Sequence, residues 1–263
     1  MAFDKHRFRF RKDGELRFVS HLDLMRAFER MLRRSQLPIR YTEGFHPQPR
    51  LVFAQSLSLG IAGLNEVVEI EYTEPVEPVD ALTRLTAQAL PGLTFLSCRR
   101  IELKQVARTA LASFQLPISE SWINEATTNA AAMLASTEVW VEREKPRQRE
   151  VNIRPYLRDI RVAEGILTFD IWVSQDGTAR ADEIVRALGL QTVVNDGGVI
   201  ARADLAIDDE LSDERKQVRP KLPGRDDRFA FERPLTREIV PMQATLAAHT
   251  AHWGASPNGP VLE

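Results

Sequence analysis

Lys5-His-Arg-Phe-Arg-Phe-Arg-Lys12 and, shortly after it, Phe18-Val-Ser-His-Leu-Asp-Leu-Met-Arg-Ala-Phe-Glu-Arg-Met-Leu-Arg-Arg34 decide the fold. In the first stretch Phe8 and Phe10 alternate with Arg7, Arg9 and Arg11, the period of a half-buried strand with a basic wet face. In the second, Ser20 is a good N-cap with Asp23 in capping-box position. Leu24, Ala27, Phe28, Met31 and Leu32 then recur at the spacing of one buried helical face. Arg26, Arg30 and Arg33 fall together on the opposite side, with Glu29 on a neighbouring row. The competing reading of that stripe is a solvated helix face.

Working outward, an extended arm from Leu37 to Leu57 leads to a strand at Glu66 to Tyr72, a helix from Pro78 to Leu90 and a strand from Thr94 to Leu103. The order βαββαβ predicts two helices on one face of a four-stranded antiparallel sheet, a ferredoxin-like unit. A comparable order follows: strand Ser113 to Ile118, helix Glu120 to Ala135, strands Glu138 to Glu144 and Ile166 to Ser174, helix Ala179 to Leu188, strand Val199 to Ile207. The expectation is therefore an α+β chain with two tandem ferredoxin-like domains, residues 1–107 and 108–207. Residues 208–263 are expected to form a disordered tail, because Asp208-Asp-Glu-Leu-Ser-Asp-Glu is charged, the following segment is turn-rich and the end has no period. Within that tail Thr236 to His249 has the composition of a short helix.

Composition narrows the function classes. Lys+Arg 35 against Asp+Glu 37 gives a formal charge of −2, so binding to a polyanion must be regional. The 43% hydrophobic content suits real cores, and no apolar run is long enough for a membrane helix. With no signal-peptide core after the charged start, a cytoplasmic location and no membrane partner are expected. Cys98 is the single cysteine and lies in an apolar strand, where it reads as a core residue. Cysteine zinc sites and self-contained iron–sulfur clusters are excluded. The five histidines, at positions 6, 21, 46, 249 and 252, lack ligand spacing apart from the His249/His252 pair, and the nucleotide and metalloprotease motifs are absent, so no metal or cofactor is expected.

Gly44-Phe-His-Pro-Gln-Pro-Arg50 sharpens the basic helix. Two prolines fix the backbone, Gly44 permits an unusual turn, and Phe45, His46 and Arg50 are candidates for stacking and ion pairing. The alternative places Phe45 in the core. Arg154, Tyr156 and Arg158 in Val151-Asn-Ile-Arg-Pro-Tyr-Leu-Arg158 form a second basic, aromatic segment that either extends the surface or is a protected edge strand. Phosphate recognition needs several cations on one surface, and a neighbouring aromatic adds about 1–3 kcal/mol per stacked base.

Gly14-Glu-Leu-Arg-Phe-Val-Ser-His-Leu-Asp-Leu-Met-Arg26, Glu29-Arg-Met-Leu-Arg-Arg34, Leu37-Pro38, Gly44 to Arg50 and Leu59-Gly-Ile61 resemble the bacterial radical SAM-associated protein family, a domain of unknown function fused to or encoded beside cobalamin-binding radical SAM proteins. The likeness covers about residues 5–207, including Val151 to Tyr156 and Gly177 to Gly189. It implies a radical SAM partner and a link to RNA or a ribosome-related assembly, and carries no catalytic residues. One cysteine cannot hold the cluster of such an enzyme. The reading that follows is a non-catalytic accessory module in which Arg26, Arg30, Arg33 and Arg50 contact phosphate while Phe45 and Tyr156 stack. Two alternatives stand beside it. One is a metal-independent endoribonuclease like the CRISPR-associated RAMP enzymes, with His21 as base and Arg17 or Arg26 beside the phosphate. The other is a docking scaffold for an acidic protein.

Overall fold

The computed structural model describes residues 4–144, 148–174, 177–213, 219–223 and 232–233. The expected helix at Thr236 to His249, the His249/His252 pair and the aperiodic end lie outside the described residues.

The first half contains β1 (Asp4–Lys12), α1 (His21–Arg34), β2 (Leu51–Phe53), β3 (Ala62–Tyr72), α2 (Pro78–Thr86) and β4 (Leu93–Arg100). α1 starts where its cap dictates: the Ser20 hydroxyl accepts from Asp23 N at 3.1 Å and donates to Asp23 Oδ2 at 2.7 Å. The face predicted to be buried, Leu24, Ala27, Phe28, Met31 and Leu32, is the face that is buried. It packs Phe28 edge-on to Phe53 and Phe95 and opposite Phe10 in an aromatic cluster over β1. α2 opens on Pro78, whose missing N–H costs nothing in a first turn.

The second half contains β5 (Thr109–Pro117), α3 (Glu120–Ala135), β6 (Trp140–Arg143), β7 (Arg149–Asn152), β8 (Leu157–Ala163), β9 (Ile166–Trp172), α4 (Ala181–Ala187), α5 (Gln191–Asn195) and β10 (Ala201–Ile207). A last short strand, β11 (Glu232–Arg233), pairs with β7. One expected assignment is corrected. Glu138 to Glu144 does not enter the main sheet, because β6 pairs antiparallel with β7 and builds a separate three-stranded sheet with β7 and β11. Its expected place beside β9 is taken by β8, which carries Leu157 and Ile160 to the core and turns into β9 through Glu164 and Gly165, both at positive φ as a two-residue hairpin requires.

The strands of both halves form one mostly antiparallel, eight-stranded sheet in the order β4-β1-β3-β10-β5-β9-β8, with β2 on the remaining length of β3. The two units expected from the sequence thus share a sheet. They meet where β10 runs parallel to β3 at Ala201↔Ala62 and Arg202↔Gly63. A buried ion pair between Arg202 and Glu66, with Arg202 Nη1 also donating to Ser56 O at 3.0 Å, pins this seam. Two hydrophobic cores lie on opposite faces. Val67 and Val68, neighbours in β3 with side chains on opposite sides, belong one to each: Val68 packs with α1 and α2, Val67 with the core under α3 and α4. The first half consequently has a sheet face without helices of its own, and β1 lays Lys5, Arg7 and Arg9 on it.

Candidate nucleic-acid interface

On α1, the side chains of Arg26, Arg30 and Arg33 all stand in solvent. Arg26 reaches Asp23 at 3.2 Å, a pair more than half exposed at both ends, whereas Arg30 and Arg33 have no ion-pair or hydrogen-bond partner among the described residues. Hydrogen bonding from Ser20 and the nearby Arg26 hold the Asp23 carboxyl below the usual carboxylate range. The helix ends at the cap residue Ser35 and runs into the arm, so its last arginines stand at the end of the sheet from which the arm departs.

The arm is fixed at its base and free at its tip. Arg40 N donates to Glu71 O at 2.9 Å, Glu71 N to Arg50 O at 3.0 Å and Arg50 N to Arg40 O at 2.7 Å, tying both limbs to the end of β3. Farther out Thr42 N donates to Gln48 O at 2.8 Å and Tyr41 bridges Pro49. Beyond this ladder Glu43 to Gln48 are all exposed, and Phe45 is 101% exposed, as bare as a phenyl ring in an extended peptide. Gly44 turns the chain at φ 128, a conformation that side chains oppose. Phe45 is thus outside the core, with His46 and Arg50 exposed on the same arm.

Other predicted site residues are placed differently. Tyr156 is corrected: it is 6% exposed within the second core, so its ring is not open to a base. Gly177 lies so close that a Cβ there would stand 2.6 Å from the Tyr156 hydroxyl. Arg154 is corrected as well. Its guanidinium donates to Leu134 O at 2.8 Å and Ser136 O at 2.9 Å, satisfying carbonyls at the C-terminal end of α3, and to Leu157 O at 3.1 Å at the start of β8. The Arg-Pro-Tyr turn that carries both is a tight link between β7 and β8. Of the nuclease candidates, His21 is partly buried with its ring edge-on to Phe53 at 5.2 Å, and the Arg17 guanidinium lies 4.4 Å over the exposed Phe18 ring.

The basic face of β1 is largely covered from Lys5 to Arg9 and opens to water at Arg11. Arg7 is 1% exposed and bonds Glu69, Asp209 and Glu210; Lys5 lies 2.9 Å from Glu69 Oε2. The carboxylates come partly from the start of the supposed tail: Asp208–Glu210 is a turn seated on this face, and Arg219 donates to Asp208 at 2.8 Å. A signal for this existed in the sequence, an alternating basic strand and a distant acidic run, but pattern alone does not pair them. Cys98, beside the first core, has its thiol pushed up to about 12 by burial and the neighbouring Asp4, fitting the packing role expected of it.

The architecture is that of a mixed α+β protein presenting an arginine-lined helix and a braced aromatic arm. The chain belongs to the family described as "Uncharacterized protein conserved in bacteria (DUF2344)", which it matches over residues 5–186. That description makes no link to radical SAM proteins. No curated protein matches. Among solved structures, a crystal structure of an unknown protein from Galdieria sulphuraria aligns with 78% of this chain and 98% of its own at 13% identity, with a TM-score of 0.25, too low to bear on fold or function. Among the described residues no helix is long and apolar enough to cross a membrane.

Proposed function

We propose that this chain is a non-catalytic accessory module that binds single-stranded RNA, free or within an RNA-containing assembly, and presents it to a radical SAM partner enzyme. The observation that carries the RNA reading is Phe45, a fully exposed phenyl ring held away from the core by a hydrogen-bonded, proline-stiffened arm. Exposing such a ring forgoes about 1.5–3 kcal/mol of burial, and a preset ring lowers the ordering cost when a base stacks on it. Arg30 and Arg33 supply cations with no carboxylate at ion-pair distance among the described residues, although Arg30 also acts on Asp23 at longer range, and Arg50 brings another to the base of the arm. The partnership with a radical SAM enzyme rests on the resemblance of sequence. On the fold, the finer reading is two ferredoxin-like units sharing one sheet. It is supported by the strand order β4-β1-β3-β2 in the first half and β10-β5-β9-β8 in the second, the same order within each βαββαβ series once the β6–β7 hairpin is set aside.

The test is binding of a fluorescent single-stranded RNA by anisotropy across a salt series. Phe45→Ala should weaken binding by about 1–3 kcal/mol with an unchanged unfolding midpoint. Joint replacement of Arg26, Arg30 and Arg33 by Gln should flatten the slope of log affinity against log salt by about 0.7 for each phosphate no longer neutralised. Affinity and slope unchanged in both variants would overturn the reading. Native complexes that survive ribonuclease would then point to the acidic protein partner.

A further inference from the structure

We infer that Arg7, Arg9 and Arg99, on the helix-free face of β1 and β4, form a second phosphate-binding surface for single-stranded RNA, and that the acidic turn Asp209-Glu210 occupies it in the unbound protein. This rests on the RNA-binding reading above and extends it to a site on the other side of the sheet from α1.

The face carries more cations than its strands can balance. Lys5, Arg7 and Arg9 project from β1, and Arg99 stands opposite Arg7 on β4. Glu69 of β3 answers only Lys5 and the Nε and Nη2 side of Arg7. Asp204 of β10 lies 3.5 Å from Arg9, and two carboxylates from the turn take the rest. Asp209 accepts from Arg7 Nη1 at 2.6 Å and Nη2 at 2.9 Å, while Glu210 Oε1 accepts from Arg7 Nη1 at 2.7 Å and from Arg99 Nη2 at 2.6 Å. Glu210 Oε2 binds Arg9. Two adjacent anionic groups spanning three guanidiniums is the arrangement that successive phosphates of a single strand would reproduce, since guanidinium forks accept carboxylate and phosphate alike. Burial would raise the Glu210 carboxyl, yet the hydrogen bonds from Arg99 and Arg7 overcome it and hold the group at about 2.

The turn is built to be exchangeable. Past Ile207 the turn bonds the sheet through Asp208 N donating to Arg108 O at 2.8 Å, and its side chains add the ion pairs of Asp209 and Glu210, the Asp208–Arg219 pair and the buried Leu211. The side chains of Asp209 and Glu210 remain about a quarter exposed, Arg99 half exposed, and Arg11 continues the row into solvent. An incoming strand can engage Arg99 before the turn leaves, and swapping carboxylate for phosphate never strands the buried Arg7 without an anion.

The experiment uses the full chain and a fluorescent single-stranded RNA. Asp209→Asn with Glu210→Gln should bind about fivefold tighter or more, with a salt slope steeper by about 0.7 for each additional phosphate neutralised. Arg9→Gln with Arg99→Gln in that background should remove the gain. Should the opened variant unfold, hydrogen exchange on the unaltered protein decides: saturating RNA should speed exchange at Asp208 to Leu211, and unchanged or slower exchange there would overturn the proposal. Opened protein with unaltered affinity and slope would also overturn it, leaving the turn as a structural tether. The reading of the arm and α1 would survive if Phe45→Ala still weakens binding, whereas RNA that binds neither form overturns both.

Discussion

β1 and α1 each carry a row of arginines in the sequence pattern, but α1 leaves its row in solvent while β1 covers most of its own, with Arg11 half exposed at the end. Arg30 and Arg33 meet water; Arg7 meets three carboxylates and Arg9 two. The difference lies in what the rest of the chain supplies. α1 packs one face on the sheet and, among the described residues, its arginines on the other face stay exposed, whereas the helix-free face over β1 is flanked by the second half and receives the turn that follows β10. A basic stripe is therefore an available binding surface only when no acidic segment of the same chain can reach it.

The strongest way to break this comparison is Arg7→Ala. It leaves Glu69, fully buried, with Lys5 as its remaining partner and takes a guanidinium from Asp209 and Glu210, so the expected loss is about 3 kcal/mol in urea unfolding. A loss under about 1 kcal/mol would mean that β1 and α1 carry equivalent surface arginines.

A middle-sized effect comes from pH. Burial lowers the pKa of His6 below 6.5 even though Asp4 lies 3.2 Å away and pulls it upward. As pH falls the unfolded chain therefore takes the proton first. The contribution of His6 is complete above about pH 6.5 and declines below it, by at most about 1.4 kcal/mol per pH unit. Asp4 is shifted in the same direction for a different reason: the Val76 and Lys5 N–H groups, His6 and Arg100 outweigh burial and keep its pKa below 3.8, so its share is lost only in stronger acid. Unfolding midpoints measured from pH 7 to 5 should fall, and His6→Gln should flatten that dependence. A flat profile for the unaltered protein would contradict it.

The smallest effect belongs to α1. Arg30→Ala should shift stability by less than about 0.5 kcal/mol, since truncating an exposed arginine without a partner leaves the packing as it was. A larger loss would show that its aliphatic stem covers apolar surface, and would bring the two rows closer together.

The buried face of α1, its Ser20 cap, the strand period of β1 and the braced arm at Gly44 were fixed by local rules, because caps, periodicity and proline act within a few residues. Short range also explains why Phe45 was readable as a candidate. Tertiary structure alone decided the rest. It joined the two halves through β3 and β10, moved β6 out of the main sheet, and turned Tyr156 inward. It also committed Arg154 to the carbonyls at the end of α3, and brought Asp209 and Glu210 onto arginines about two hundred residues earlier. These outcomes depend on which distant groups meet. Ion pairing and strand exchange are set by chain reach and burial, neither of which a local pattern records.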